Sequence, residues 1–455
     1  LAIPDLEGAS SGSRKELRDS DRIGHFPFVR ILGYIEMAII SLAMIGLAQL
    51  STISKGATDE PGALMDKPDW TSLDQFQKTM SRSEFVEALD TVYLPYGYDE
   101  SWFAIESDHV IIRMDGEYTS SFYRMNFATS DSAERIGIDS GLHQNGRSTS
   151  PLSGLIIALD PGHIGGDFSK MESRHFQIGD DAPVKEGDLT LLIAKKLEAR
   201  LMALGAKPIL VRRNAQPVTE KTPVDFIKEA SAFEQGIWAE NNPSAQGAKP
   251  WNTSWFQDKV RARAEILFYR INEIQSRAVL VNETIRPDIT LAIHFNVAPW
   301  KDASHQVLPA ENHVHVLVHG TYMPNELAIE EMRLHLFRKL FSRNHEIEIP
   351  LSSTVADSLI RRTGLPSFSY GGRNASNQGN NPALWARNLL ANRLYQSPVV
   401  FLEAYCINSE EAYPRVQLGD YKGLRDINGS MKPSIFQEYV DAVVEGLVDY
   451  YSQGR

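Results

Sequence analysis

Four side chains of this sequence stand where chemistry can be done. His163 follows the apolar run 155–159 and the turn Asp160-Pro161-Gly162, His294 ends the run 289–293, and Glu403 ends the run 398–402. Glu186 opens a helical pattern that carries Leu189, Leu192, Ile193, Leu197, Leu201 and Leu204 and stops at Gly205. The three apolar runs read as buried strands. Pro161 has no N–H for a ladder and Gly162 tolerates positive φ, so the first strand is expected to end after Leu159. Open α/β sheets place their chemistry at such carboxyl ends. Two imidazoles and one carboxylate make a three-ligand zinc site with an open position, and a second carboxylate can manage protons. Singly, each is an ordinary loop or capping residue, and Glu186 alone is a favourable first-turn acid. Glu403 is the least ordinary, because a carboxylate behind five apolar residues needs a partner.

The elements that must position these residues alternate. Strand 155–159, helix 188–204 and strand 208–211 form a βαβ unit with an expected right-handed crossover. Residues 214–258 interrupt the pattern with Pro, Gly, Asn and several Trp, and read as irregular. A long helix (about 258–284) leads to the strand before His294. Strand 314–318, helix 325–341, the Gly/Asn-rich loop 370–381, the strand before Glu403 and an amphipathic helix 436–451 complete the chain. This order implies an α/β fold, a mostly parallel twisted sheet with helices on both faces. His313, His315 and His319 alternate with Val314, Val316 and Val318, which reads as the polar face of a half-exposed strand, with a second metal site as the alternative. Cys406, the one cysteine, excludes both a disulfide framework and a cysteine-rich metal site.

Upstream, residues 1–25 are polar and carry Arg14, Lys15, Arg18 and Arg22. The apolar block 31–50 is long enough, at about 1.5 Å per residue, to cross a hydrocarbon core of ~30 Å. Its one charge, Glu36, lies near the end from which it can reach the interface. We therefore expect a cytoplasmic tail (1–25), an uncleaved single-pass transmembrane signal anchor (26–50) and export of the remainder. A linker (51–80), a small α+β unit (81–128) and a second linker (129–153) precede the large region 154–455. The small unit shows one helix and three strands, with Asp115-Gly116 as a hairpin turn, and reads as a spacer. Acidic residues outnumber basic ones, 58 to 46, which argues against a general nucleic-acid binder.

The segments DPGHIGG, KEGDLTL, AIHFNV and FLEAYCINSEEA, in this order, resemble the motifs of zinc-dependent N-acetylmuramoyl-L-alanine amidases, which cleave peptidoglycan. The resemblance covers residue 155 to the C-terminus. Carried over position by position, it implies one zinc per chain held by His163, Glu186 and His294. It makes Glu403 the catalytic carboxylate, Asn296 and Arg387 substrate contacts, and Cys406, at an apolar position of the motif, a small buried hydrophobe. The chain departs from the pattern at the additional Ile164, at Gly187 in place of Lys, at Ala404 in place of Gly, and by the long insertion before His294. The resemblance implies hydrolysis of the amide between N-acetylmuramic acid and L-alanine at a bacterial inner membrane, with the catalytic region in the periplasm. In some members a helix covers the zinc until a protein activator displaces it, and residues 326–384 have room for one. A zinc peptidase acting on the stem peptide, and a non-catalytic wall-binding or regulatory module, are the alternatives.

Overall fold

The computed structural model describes residues 68–114, 121–129, 150–243 and 249–452. The expected tail, anchor and most of both linkers, with the Asp115-Gly116 turn, lie outside them. Among the described residues no helix is long and apolar enough to cross a membrane.

A three-stranded antiparallel sheet comes first, β1 (Phe103–Ile105), β2 (His109–Arg113) and β3 (Phe122–Asn126), after helix α1 (Arg82–Ala88). Ser81 and Glu84 close a reciprocal capping box at the start of α1. The large region is built on seven strands: β4 (Ile156–Pro161), β5 (Lys207–Leu210), β6 (Ile289–Asn296), β7 (Val314–His319), β8 (Ser376–Asn377), β9 (Leu384–Arg387) and β10 (Val399–Cys406). Their order across the sheet is β8-β9-β7-β10-β6-β4-β5. β5, β4, β6 and β10 run parallel, and β9 is parallel to β7, but β7 runs antiparallel to β10 and β8 to β9. The sheet is therefore mixed and mostly parallel.

β4 continues past Leu159 to Pro161, with Asp160 paired to Ala292 and Pro161 to Ile293. β5 pairs with β4 only as far as Leu159–Leu210, so beyond it β4 has a neighbour on one side and a proline is tolerated. β10 holds one extra residue after Glu403. Glu403 pairs with His294 but Cys406 with Asn296, and Tyr405 takes φ +64°.

Ala158, Ala292, Leu317, Val399 and Phe401 share the front face and pack on Ala278, Val281 and Tyr395. The helical run that supplies Ala278 and Val281 is continuous from Ser254 to Ile285: α4 (Ser254–Ile266), a π-helical stretch, α5 (Glu273–Val279) and a second π-helical stretch. The back face is covered by α2 (Glu186–Ala203), α7 (His345–Thr363) and α9 (Ile435–Ser452), with the short α8 (Ala412–Gln417) packed beside α9. Gly446 of α9 lies so close to α7 that a Cβ there would stand 2.6 Å from the Val355 Cα.

Residues 214–258 are not irregular. They hold α3 (Ile227–Asn241) and the start of α4, because Pro223 occupies a helix-starting position instead of breaking one. These helices close on Ile164, which is fully buried among Phe226, Ala230, Phe256, Val260 and Phe268. The residue that lengthens the turn and the insertion that lengthens the chain are thus two sides of one apolar contact. Burying such an isoleucine is worth roughly 1.5–3 kcal/mol.

The small unit packs directly on α6 (Glu330–Phe341): the Phe85 ring lies 5.3 Å from that of Phe341, Phe103 meets Phe337 at 5.2 Å, and the Arg333 guanidinium covers Trp102 at 4.6 Å. Arg343 reaches back to Glu84 at 2.7 Å. α6 and α7 both lie within 326–384, and both are packed into the body, α7 against the sheet and α9.

Candidate metal centre

The carboxyl ends of β4 and β6 meet the first turn of α2. His163 follows β4 by two residues, His294 stands two residues before the end of β6, and Glu186 is the first residue of α2. The sequence is obliged to glycine here by contact. A Cβ on Gly162 would lie 2.2 Å from the His294 ring, and one on Gly187 2.4 Å from the Gly165 nitrogen. Gly187, where the resemblance led one to expect lysine, lets the start of α2 rest against the backbone of the turn. His163 itself sits at φ +58°, a left-handed conformation that aims its ring at Glu186.

One ligand atom from each of His163, Glu186 and His294 lies within 4.8 Å of the others, and no other such group of three exists among the described residues. His163 Nε2 is 3.3 Å from Glu186 Oε2, and His294 Nδ1 is 3.4 Å from Glu186 Oε1. Glu186 is buried, whereas the His163 and His294 side chains keep 19 % and 16 % exposure, so the set opens to solvent through its imidazoles. Burial alone would raise Glu186. The His163 imidazole, bonds from both rings and Arg174 outweigh it and hold the carboxyl well below the usual range. A buried anion facing two partly open imidazoles is a donor set that fits zinc.

The partners that hold this set come from distant positions. Glu172 accepts the N–H groups of Ile164 and Gly165 at 2.9 and 3.2 Å and stands 3.6 Å from His163 Nδ1. Arg174 donates Nε to His163 Nε2 at 3.2 Å and is equally close to Glu186 Oε2. Beneath the turn, buried Arg277 bridges Asp160 at 2.9 Å and Glu273 at 2.7 Å, and donates to the carbonyls of Pro161 and His163. Tyr395 donates its hydroxyl to the other Asp160 oxygen at 2.5 Å. Phe401 stacks on the His294 ring at 4.4 Å.

Glu403 lies beside His294 in register, on the same face. Its Oε2 is buried with no hydrogen-bond partner among the described residues. Burial, and then the Glu186 carboxylate, push it well above the ordinary carboxylate range. The structure thus brings together all four residues singled out for chemistry. Asn296 lies at the end of β6, its amide 3.0 Å from His313 Nε2. Arg387 lies farther along the sheet, its guanidinium 5.4 Å above the Tyr370 ring.

The three histidines of β7 differ from expectation. His313, His315 and His319 are buried, not a half-exposed polar face, and they form no metal group among the described residues. The strand lies inside the sheet, and Phe368 and Tyr370, from a loop some fifty residues on, cover it. Cys406 is buried as expected, 3.6 Å from the His313 ring, and burial pushes its thiol up to about 12. Glu172, Arg174 and Arg277 carry no local signal that marks them in the sequence, since their roles exist only through partners at the turn.

No family model and no curated protein matches the chain. Among solved structures it is similar to the N-acetylmuramyl-L-alanine amidase Ami1 from Mycobacterium smegmatis, at 17 % identity over 66 % of this chain and 99 % of that one, with a TM-score of 0.35. The apo form of Ami1 from Mycobacterium abscessus matches at 17 % identity over 66 % and 99 %, with a TM-score of 0.34. The CwlD amidase from Clostridioides difficile, in complex with the GerS lipoprotein, matches at 15 % identity over 66 % and 100 %, with a TM-score of 0.35.

Proposed function

We propose that the chain is a zinc-dependent N-acetylmuramoyl-L-alanine amidase, hydrolysing the amide that joins the stem peptide to the glycan of peptidoglycan. The observation that carries this reading is the convergence of His163, Glu186 and His294 with Glu403 beside them in register. His163, Glu186 and His294 would hold one zinc ion. Zinc in such a set supplies Lewis-acid activation of a carbonyl group and of a water molecule. Glu403 takes the proton of the attacking water and returns it to the departing L-alanine nitrogen. Glu172 orients His163 from behind, as second carboxylates do for ligating imidazoles. Asn296 and Arg387 contribute to the substrate side, one through His313 and the other through Tyr370.

The same reading places the catalytic region outside the cytoplasm, tethered to the inner membrane by residues 26–50, with peptidoglycan as its partner. The basic residues ahead of that apolar block support the orientation. The deciding experiment incubates the purified protein with sacculi and identifies the released fragments by mass. Intact stem peptides with a free L-alanine amine, and glycan strands with free lactyl carboxylates, are expected. Fragments cut within the stem would replace the reading by a peptidase, and no release by zinc-loaded protein would leave a binding module.

A further inference from the structure

One row of the sheet extends past the metal set. Glu403 pairs with His294 on one side and with His315 on the other, so three side chains stand abreast on the front face. Glu403 Oε2 and His315 Nδ1 are both buried, and neither has a hydrogen-bond partner among the described residues. The other nitrogen of His315 is engaged, since Nε2 lies 3.0 Å from the Tyr370 hydroxyl. Arg387 Nη1 donates to that same hydroxyl at 3.5 Å, and its guanidinium lies over the Tyr370 ring. A guanidinium can only donate, so the phenol oxygen accepts from Arg387, and among the described residues the hydroxyl's own proton finds no acceptor but His315 Nε2, to which it donates. The ring proton of His315 is thereby placed on Nδ1. Burial, with His313 and Arg387 adding to it, holds this imidazole down to about 3, so the neutral ring with one N–H is the working form. Phe368 flanks both His313 and His315, and a cavity of about 440 Å³, lined in part by Glu311, Asn312, His313 and Phe368, opens at His313, two residues along the chain from His315 on the same face.

We propose that His315 is a substrate-binding residue whose Nδ1–H donates to a backbone carbonyl of the peptide on the leaving side of the scissile amide, with Tyr370 as the positioning residue that fixes the tautomer. The inference rests on the amidase reading above. A buried donor without an acceptor is costly, and the cost is lifted when a ligand brings the acceptor. A neutral N–H suits a neutral carbonyl. The side of the bond follows from the order of the row: His294 belongs to the metal set, Glu403 serves the departing nitrogen, and His315 lies beyond Glu403, where the peptide continues.

The test uses the full chain, with N-acetylmuramoyl-L-alanyl-D-isoglutamine as the probe. Parent, His315→Ala, His315→Gln and Tyr370→Phe are compared for KM and kcat. The same changes in a Glu403→Gln background are compared for Kd by calorimetry, so that turnover does not intervene. Losing one neutral hydrogen bond predicts about a 3- to 10-fold rise in Kd and KM for His315→Ala, with a smaller change in kcat and parental zinc content. Glutamine keeps an N–H donor and restores most of the affinity, and Tyr370→Phe falls between parent and alanine. Parental Kd in folded His315→Ala or Tyr370→Phe overturns the proposal, as does glutamine no better than alanine. If His315→Ala does not fold, the glutamine and phenylalanine variants decide alone. Parent protein that binds the probe but leaves it uncut refutes the amidase chemistry, while the binding comparison still decides His315.

Discussion

Replacing Arg277 with methionine removes the charge beneath the metal turn while keeping much of the side-chain bulk. The change leaves the buried carboxylates of Asp160 and Glu273 without their cation, and the carbonyls of Pro161 and His163 without donors that stood at 2.8 Å. Breaking a buried ion pair by removing one partner costs ~3–5 kcal/mol. Here Glu273 keeps the N–H groups of Val218 and Thr219, at 2.8 and 3.0 Å, and Asp160 keeps the Tyr395 hydroxyl. Those remaining bonds put the expected loss near the lower end, about 3 kcal/mol. For a region of about 300 residues, at about 2.1 cal/mol/K per residue, 1 kcal/mol moves Tm by about 1.5 °C, so a fall of about 5 °C is expected. Zinc retention should weaken with it, because the His163 carbonyl is no longer held and its left-handed backbone is free to relax. Thermal unfolding followed by circular dichroism, with metal analysis of the same preparation, measures both. Adding Asp160→Asn to Arg277→Met removes one stranded charge and should recover part of the loss, although Asp160→Asn alone is destabilising. A parental Tm for Arg277→Met, or no recovery in the double variant, would refute the assignment of Arg277 as the clamp.

The remaining expectations concern the site and its support. Glu403→Gln should lower kcat by about 10²–10⁴-fold with zinc content and Tm kept, and near-parental kcat at full zinc occupancy would remove Glu403 from the chemistry. His163→Ala and His294→Ala should each abolish the single zinc expected in parent protein prepared without chelator, and unchanged zinc in both would sink the ligand set. Glu84, where burial is outweighed by bonds from Arg343 and Ser81, is held at about 2 against an ordinary 4.5. A folded value below the unfolded one means a stabilising contribution present above pH 4.5 and lost as pH falls towards 2. Glu84→Gln should therefore flatten the acid limb of Tm against pH in that window, and an identical limb in both proteins would show that this ion pair contributes nothing.

What could be read in the sequence was whatever is local. His163 follows an apolar run, His294 and Glu403 each stop one, and Glu186 begins a helix, and such abrupt polar stops are visible without any partner. Strand direction was not visible. β7 carries the same alternating valines in either orientation, and only its pairing with β10 shows that it runs antiparallel. Alternation also placed its three histidines on one face correctly but could not reveal their surroundings, because Phe368 and Tyr370 arrive from far along the chain. The helices within 214–258 were hidden by breakers at their ends, Pro223 before α3 and Pro250 before α4. Arg277 and Glu172 remained anonymous for a different reason. Charged residues at helix-compatible spacing look solvated until the turn they support is in place.

The extra residue in β10 has the effect of a change of phase. Without it, Tyr405 would follow Glu403 at the paired, inward position on the front face, and a phenol would stand beside the row of His294, Glu403 and His315. With it, Tyr405 turns to the back and donates its hydroxyl to Glu438 on α9 at 2.7 Å, while the far smaller Cys406 comes to the front against His313. The strand thus exchanges a large ring for a thiol at the one place where bulk would narrow the approach to Glu403. Shortening this segment by a residue should leave His163, Glu186 and His294 in place and return the Tyr405 ring to the front face beside Glu403.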